Sequence, residues 1–212
     1  MKTTAQENSG AMLRDIFIPD DVVGKIQGGN REVGYQFAKA LTAKYEMIPS
    51  SPGAFYKHLN RHKFLIDTRE EDKAIAEILK DFLLHGEYEP ETTKIVEEHV
   101  KEGMVCLDIG ASIVYFTLLF AKLVGNMGLV YSFEPTKNQF PYLQKNIEAN
   151  GYGYCVEAHN LGAWSEDTHI KGKVNVGHEG DIKVIRLDTL LNDPIPKKVD
   201  FIKLDVDGAE PE

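Results

Sequence analysis

Val105-Cys106-Leu107-Asp108-Ile109-Gly110-Ala111-Ser112 decides the fold of this chain. An apolar run closes on Asp-x-Gly and leads without a break into the apolar segment Ile113–Val124. The pattern predicts a strand over 105–109 and a helix over 112–124, stopped by Gly125. A second apolar run, Leu129–Phe133, ends on Glu134. That acid falls roughly twenty-five residues downstream, where ribose-binding carboxylates of nucleotide folds sit. A Rossmann-type sheet presents a small-molecule ligand in this way, at the carboxyl end of its first strand.

The alternation continues outward from there. Pro135 is expected to open a helix with Phe140, Leu143 and Ile147 on one face, and Gly151 ends it. Tyr154–Ala158 reads as a third strand and Phe201–Val206 as a fourth. Strands alternating with helices imply a parallel sheet with right-handed crossovers. Between the third and fourth strands, short alternating runs around Val174 and Val184 flank Gly177–Asp181 and predict a hairpin.

The first third is expected to be a mostly helical cap, residues 1–86, set before a Rossmann-like domain, residues 87–212. A helical pattern over Arg31–Met47 carries Phe37, Leu41 and Tyr45. Ser50–Gly53 reads as a loop and Phe64-Leu65-Ile66 as a strand. Ile75, Ile78, Leu79, Phe82 and Leu83 mark an amphipathic helix that ends at Gly86. A shorter helix follows over Thr93–Lys101, with Pro90 suited to its start.

A net charge of −9 argues against nonspecific binding to nucleic acid or to an anionic membrane, both of which need a basic face. The amino terminus has no apolar signal segment, and Ile113–Val124 is too short to span a bilayer, so the expected compartment is cytoplasmic. Cys106 and Cys155 lie in strand-like runs and read as buried thiols; two are too few for a zinc site. No metal is expected. His159 and His178 lack ligand spacing, Asp205-x-Asp207-Gly208 lacks the remaining ligands of a calcium loop, and Trp164 reads as core.

A dinucleotide fingerprint needs three glycines, and only Gly110 is in place, with Ala111, Ser112 and Val114 around it. A nucleoside without phosphates fits better. Gly110 admits an amino-acid tail, Asp108 attracts a positive charge, and Glu134 accepts ribose hydroxyls. These requirements describe S-adenosylmethionine.

Several ordered motifs then carry a resemblance. They are Asp108-Ile109-Gly110-Ala111, Tyr115-Phe116-Thr117-Leu118, Phe133-Glu134-Pro135, Leu143-x-x-Asn146-Ile147-x-x-Asn150, Arg186-Leu187-Asp188-Thr189-Leu190 and Phe201–Glu210. Together they resemble the FkbM family of class I S-adenosylmethionine-dependent methyltransferases. The resemblance implies a three-layer α/β/α fold with a mostly parallel sheet. It also implies methylation of a small-molecule or sugar hydroxyl with S-adenosyl-L-methionine as cofactor. Cofactor contacts are implied at Asp108, Gly110, Ala111, Ser112, Glu134, Pro135, Gly162, Ala163 and Asp205, and the candidate catalytic residues are Asp205 and Lys203.

Two departures stand out. Val114 occupies a position where the family has glycine, which is expected to weaken cofactor binding. The family continues with further strands, so the sheet is expected to be truncated after the fourth, leaving an edge for a second copy or a partner to cover. The alternative reading is an inactive or partner-completed fragment that acts as a binding module. A dinucleotide-dependent oxidoreductase is disfavoured by the missing glycines.

Overall fold

The computed structural model describes residues 48–51, 54–59, 62–67, 81, 87–112, 114–174, 178–191 and 198–206. The chain divides into two compact units, Met1–Lys94 and Ile95–Glu212. The expected helix over 31–47 lies outside the described residues, as do Asp207–Glu210 and the expected helix over 68–86 apart from Asp81, which is helical.

Within the first unit, β1 (Ile48–Ser51), β2 (Ala54–Leu59) and β3 (His62–Asp67) form an antiparallel meander in that order. Only the third was foreseen. Ser50-Ser51 belongs to β1, because a short connection joins two strands here instead of ending structure. Helix α1 (Pro90–His99) begins at its proline, which has no N–H to leave unsatisfied in the first turn.

The second unit is built on a parallel sheet of β4 (Val105–Ile109), β5 (Leu129–Phe133), β6 (Val156–His159) and β10 (Phe201–Leu204), in the order β10-β4-β5-β6. By sequence this is 4-1-2-3, the reversal that defines a nucleotide-type switch point beside the first strand. From their second residue onward β4 and β5 are buried on both faces, which is why they read as unbroken apolar runs. One face holds Leu107, Ile109, Tyr131 and Phe133, with Leu161, Ala163, Leu187, Val199 and Val206 packed on them. Helix α2 (Tyr115–Val124) contacts both β4 and β5 and covers the other face. Phe120 meets Phe201 there at 5.6 Å between ring centroids.

Helix α3 (Phe140–Ala149) buries Leu143, Asn146 and Ile147. It starts five residues after Pro135, because the Glu134 side chain holds the Thr136 amide and keeps the chain out of the helix. Between β6 and β10 lies a small sheet of β7 (Gly162–Ala163), β8 (Thr168–Val174) and β9 (His178–Ile185), followed by α4 (Leu187–Leu191). The hairpin is as expected, but its second strand begins earlier. Val174 pairs with His178 and Gly172 with Gly180, so His178–Asp181 is strand. Trp164, expected in the core, is 42% exposed.

Cys106 and Cys155 are buried free thiols. Burial pushes Cys106 up to about 12, which leaves it unreactive. Among the described residues no helix is long and apolar enough to cross a membrane, and no cluster of side chains could hold a metal ion.

Candidate functional site

The turn after β4 is held by its own backbone. The Gly110 and Ala111 amides both donate to the Phe133 carbonyl, at 3.0 and 2.9 Å, and the Ser112 amide donates to Glu134 Oε2 at 2.8 Å. Gly110 has φ 81°. An added Cβ there would lie 1.8 Å from the Asp205 carbonyl oxygen, so the close approach that requires glycine is to the chain's own backbone. Ser112 (φ 49°) and Val114 (φ 114°) are also left-handed, which delays α2 from the expected Ser112 to Tyr115.

Glu134 is 3% exposed. Its Oε1 accepts the Thr136 amide at 2.7 Å while Oε2 takes Ser112, so the carboxylate ties the β4 turn to the end of β5. Burial raises its pKa; the bonds from Thr136 and Ser112 pull it partly back. Each oxygen keeps a second lone pair. The Asn160 side chain donates to the Glu134 carbonyl at 2.8 Å, bringing the end of β6 to the same point.

Beneath the turn runs a buried polar line. Ser132 Oγ and Thr117 Oγ1 are 2.7 Å apart, and Thr117 donates to Asp108 Oδ2 at 2.6 Å. Asp108 has no exposed surface, and its Oδ1 lies 3.8 Å from Lys203 Nζ. Burial raises the Asp108 pKa, and Lys203 and then Thr117 oppose the shift. Lys203 also donates to the Gly110 carbonyl at 3.3 Å and to Asp205 Oδ2 at 3.2 Å, with its ammonium 5.1 Å from the centre of the Phe116 ring. Asp205 is the half-exposed member of the group.

The structure therefore brings together Asp108, Gly110, Ala111, Ser112, Glu134, Lys203 and Asp205. Gly162 and Ala163 are near but otherwise engaged. They pair with Val184 and Ile185 of β9, and the Cβ position of Gly162 lies 3.6 Å from Pro135. Thr117 and Ser132 were missed as site residues. Their signal was available: each is a lone hydroxyl in an apolar run, and such a residue needs a buried partner.

Val114 starts α2 without a side-chain cap, fully buried, at a φ that β-branched residues rarely adopt. Relief of that strain is worth about 1–3 kcal/mol, and loss of the buried side chain costs about 1.5–3 kcal/mol. Val114→Gly incurs the cost and gains the relief, whereas Val114→Ala incurs most of the cost alone. The glycine variant should therefore be the more stable of the two in urea denaturation, reversing the usual helix order. If alanine proves more stable, the strain is not stored at this residue.

The methyltransferase FkbM domain profile matches residues 108–212. No curated protein sequence matches the chain. Among solved structures, a SAM-dependent methyltransferase from Aquifex aeolicus is similar at 29% identity, over 39% of this chain and 40% of its own, with a TM-score of 0.31. P. horikoshii TYW2 in complex with MeSAdo is similar at 17% identity, over 65% and 50%, with a TM-score of 0.38. A SAM-dependent O-methyltransferase from Thermotoga maritima is similar at 18% identity, over 57% and 43%, with a TM-score of 0.34. The chain thus spans half or less of the length of each of these proteins. The strand order, the Asp-x-Gly turn and the profile agree that residues 108–212 form a methyltransferase FkbM domain.

Proposed function

We propose that residues 87–212 bind S-adenosylmethionine at the carboxyl ends of β4 and β5 and transfer its methyl group to a hydroxyl of a small molecule or sugar. One observation carries this reading. The amides of Gly110, Ala111 and Ser112 are all spent on Phe133 and Glu134, so none of these three is left to cradle a pyrophosphate. What it does offer is a buried carboxylate braced by two amides, which suits a nucleoside with free ribose hydroxyls.

In this reading Glu134 accepts the ribose hydroxyls, and the bond from Ser112 sets its orientation. Asp108, enclosed by Thr117 and Lys203, supports the turn from below rather than meeting the ligand. The bound cofactor supplies a methyl group activated on a sulfonium. Asp205, half exposed at the end of β10, is the group placed to accept a proton from an incoming hydroxyl.

A second reading, a fold that binds without catalysing, is favoured by the strained Val114 at the start of α2. A thermal-shift panel tests the proposal. At a hundred times its dissociation constant, S-adenosylhomocysteine should add about 2.7 kcal/mol of stability, with no response to NAD or NADP. Stabilisation by a dinucleotide instead would return the oxidoreductase reading. Stabilisation by none of the three would sink the cofactor proposal.

A further inference from the structure

We infer that Lys203 is a positioning residue for the ligand-binding turn and takes no proton from the acceptor. A lysine ammonium has three donors and no acceptor. Those of Lys203 face three oxygens of the chain itself: the Gly110 carbonyl at 3.3 Å, Asp205 Oδ2 at 3.2 Å and Asp108 Oδ1 at 3.8 Å. The side chain is 11% exposed, and the Phe116 ring lies on the same group at 5.1 Å. Two of the three donors are thus bonded within the chain, and the third faces the buried Asp108 carboxylate across an ion pair.

The register explains why a residue so far along the chain holds this place. β10 runs parallel to β4 with Lys203 opposite Asp108, so both side chains leave the sheet on the face that α2 covers. From there the ammonium joins the turn after β4 to the turn after β10, where the Asp205 amide donates to the Ile109 carbonyl at 3.0 Å. Glu134 holds the far side of the same turn through Ser112. Two anchors from opposite directions thus fix Gly110–Ser112, and Lys203 is the one that also orients Asp205. The inference rests on the methyltransferase reading for what the turn binds, though not for how the turn is held.

The test must separate this role from simple charge balance, because removing Lys203 alone strands a buried Asp108. The proteins to compare are wild type, Lys203→Met and the double variant Lys203→Met with Asp108→Asn. The single variant should lose thermal stability and the double variant should regain most of it. In the double variant, amide exchange at Gly110–Ser112 should remain about tenfold faster than in wild type, with S-adenosylhomocysteine affinity about tenfold weaker. That is the size expected for losing a hydrogen bond from a charged donor. Recovery of exchange and affinity together with stability would reduce Lys203 to a counter-ion and overturn the inference. Lys203→Arg keeps the charge but not the three-oxygen geometry, so it should fold and still exchange faster at the turn; wild-type exchange there would also overturn it. If wild type itself failed to bind S-adenosylhomocysteine, the methyltransferase reading would fall, and the exchange comparison would still decide the role of Lys203.

Discussion

Gly110→Ala is expected to cost about 4 kcal/mol or more of stability and to abolish S-adenosylhomocysteine binding. Two penalties add at this residue. The backbone sits at φ 81°, where an L side chain costs about 1–2 kcal/mol. The larger penalty is steric: a Cβ would lie 1.8 Å from the Asp205 carbonyl oxygen and 2.9 Å from its carbon. Relief requires moving the end of β10, which breaks the bond from the Asp205 amide to Ile109 and pulls Lys203 from the Gly110 carbonyl. Gly151 supplies the control. Its φ is 73°, yet nothing lies within 4 Å of its Cβ position, so Gly151→Ala should cost only the conformational share. Chemical denaturation of both variants separates the two penalties, and equal losses would show that the turn yields without disturbing β10.

The parallel sheet was legible because three of its four strands are apolar runs with an acid at or next to the end, Asp108, Glu134 and Asp205, and acids at strand ends are conspicuous. What the pattern missed has local physical causes. Two residues of β7 are too few to show a period. β1 and β2 are joined through Pro52-Gly53, whose composition marks a turn without showing that strands flank it. The helix starts were misplaced for a different reason. Left-handed backbone at Ser112 and Val114 delays α2, and the bond that the Thr136 amide donates to the Glu134 carboxylate delays α3. Neither residue type announces such behaviour.

The site divides along the same line. Asp108, Gly110 and Glu134 stand at recognisable spacing, which marked them as neighbours at the strand ends before any coordinates. The position of Lys203 depends on which strand pairs with β4 and in what register, and the 4-1-2-3 order cannot be read from local pattern. Distance along the chain also hid the line from Ser132 through Thr117 to Asp108. Its members come from β5, α2 and β4 and meet only once the sheet has formed.

Glu134→Gln is expected to separate binding from stability. A neutral amide keeps the shape of the side chain but replaces one acceptor oxygen with a donor, so one of the two backbone amides and one ribose hydroxyl lose their partner. Hydrogen bonds to charged groups are each worth about 1.5–3 kcal/mol, so S-adenosylhomocysteine should bind about a hundredfold more weakly. Stability should move the other way. Burial raises the Glu134 pKa, so folding favours the protonated form. The contribution of this carboxyl to stability is then complete below the ordinary carboxylate range and is lost as pH rises through the raised value. The glutamine variant would carry no such loss: near pH 4 it should match wild type, and by pH 7 it should equal or exceed it. Asp108, whose pKa burial also raises, contributes a residual slope of the same sign in the variant, and His159, lowered by burial, one of opposite sign. Ligand affinity in wild type should fall on acidification as Glu134 gains a proton and one oxygen stops accepting, a dependence the variant should lack. Calorimetric titrations and denaturation curves from pH 4 to pH 8 would read both effects. A variant that binds as tightly as wild type would remove Glu134 from the ligand site. One that is less stable at pH 7 than at pH 4, relative to wild type, would mean that the two backbone bonds outweigh the cost of burying the charge.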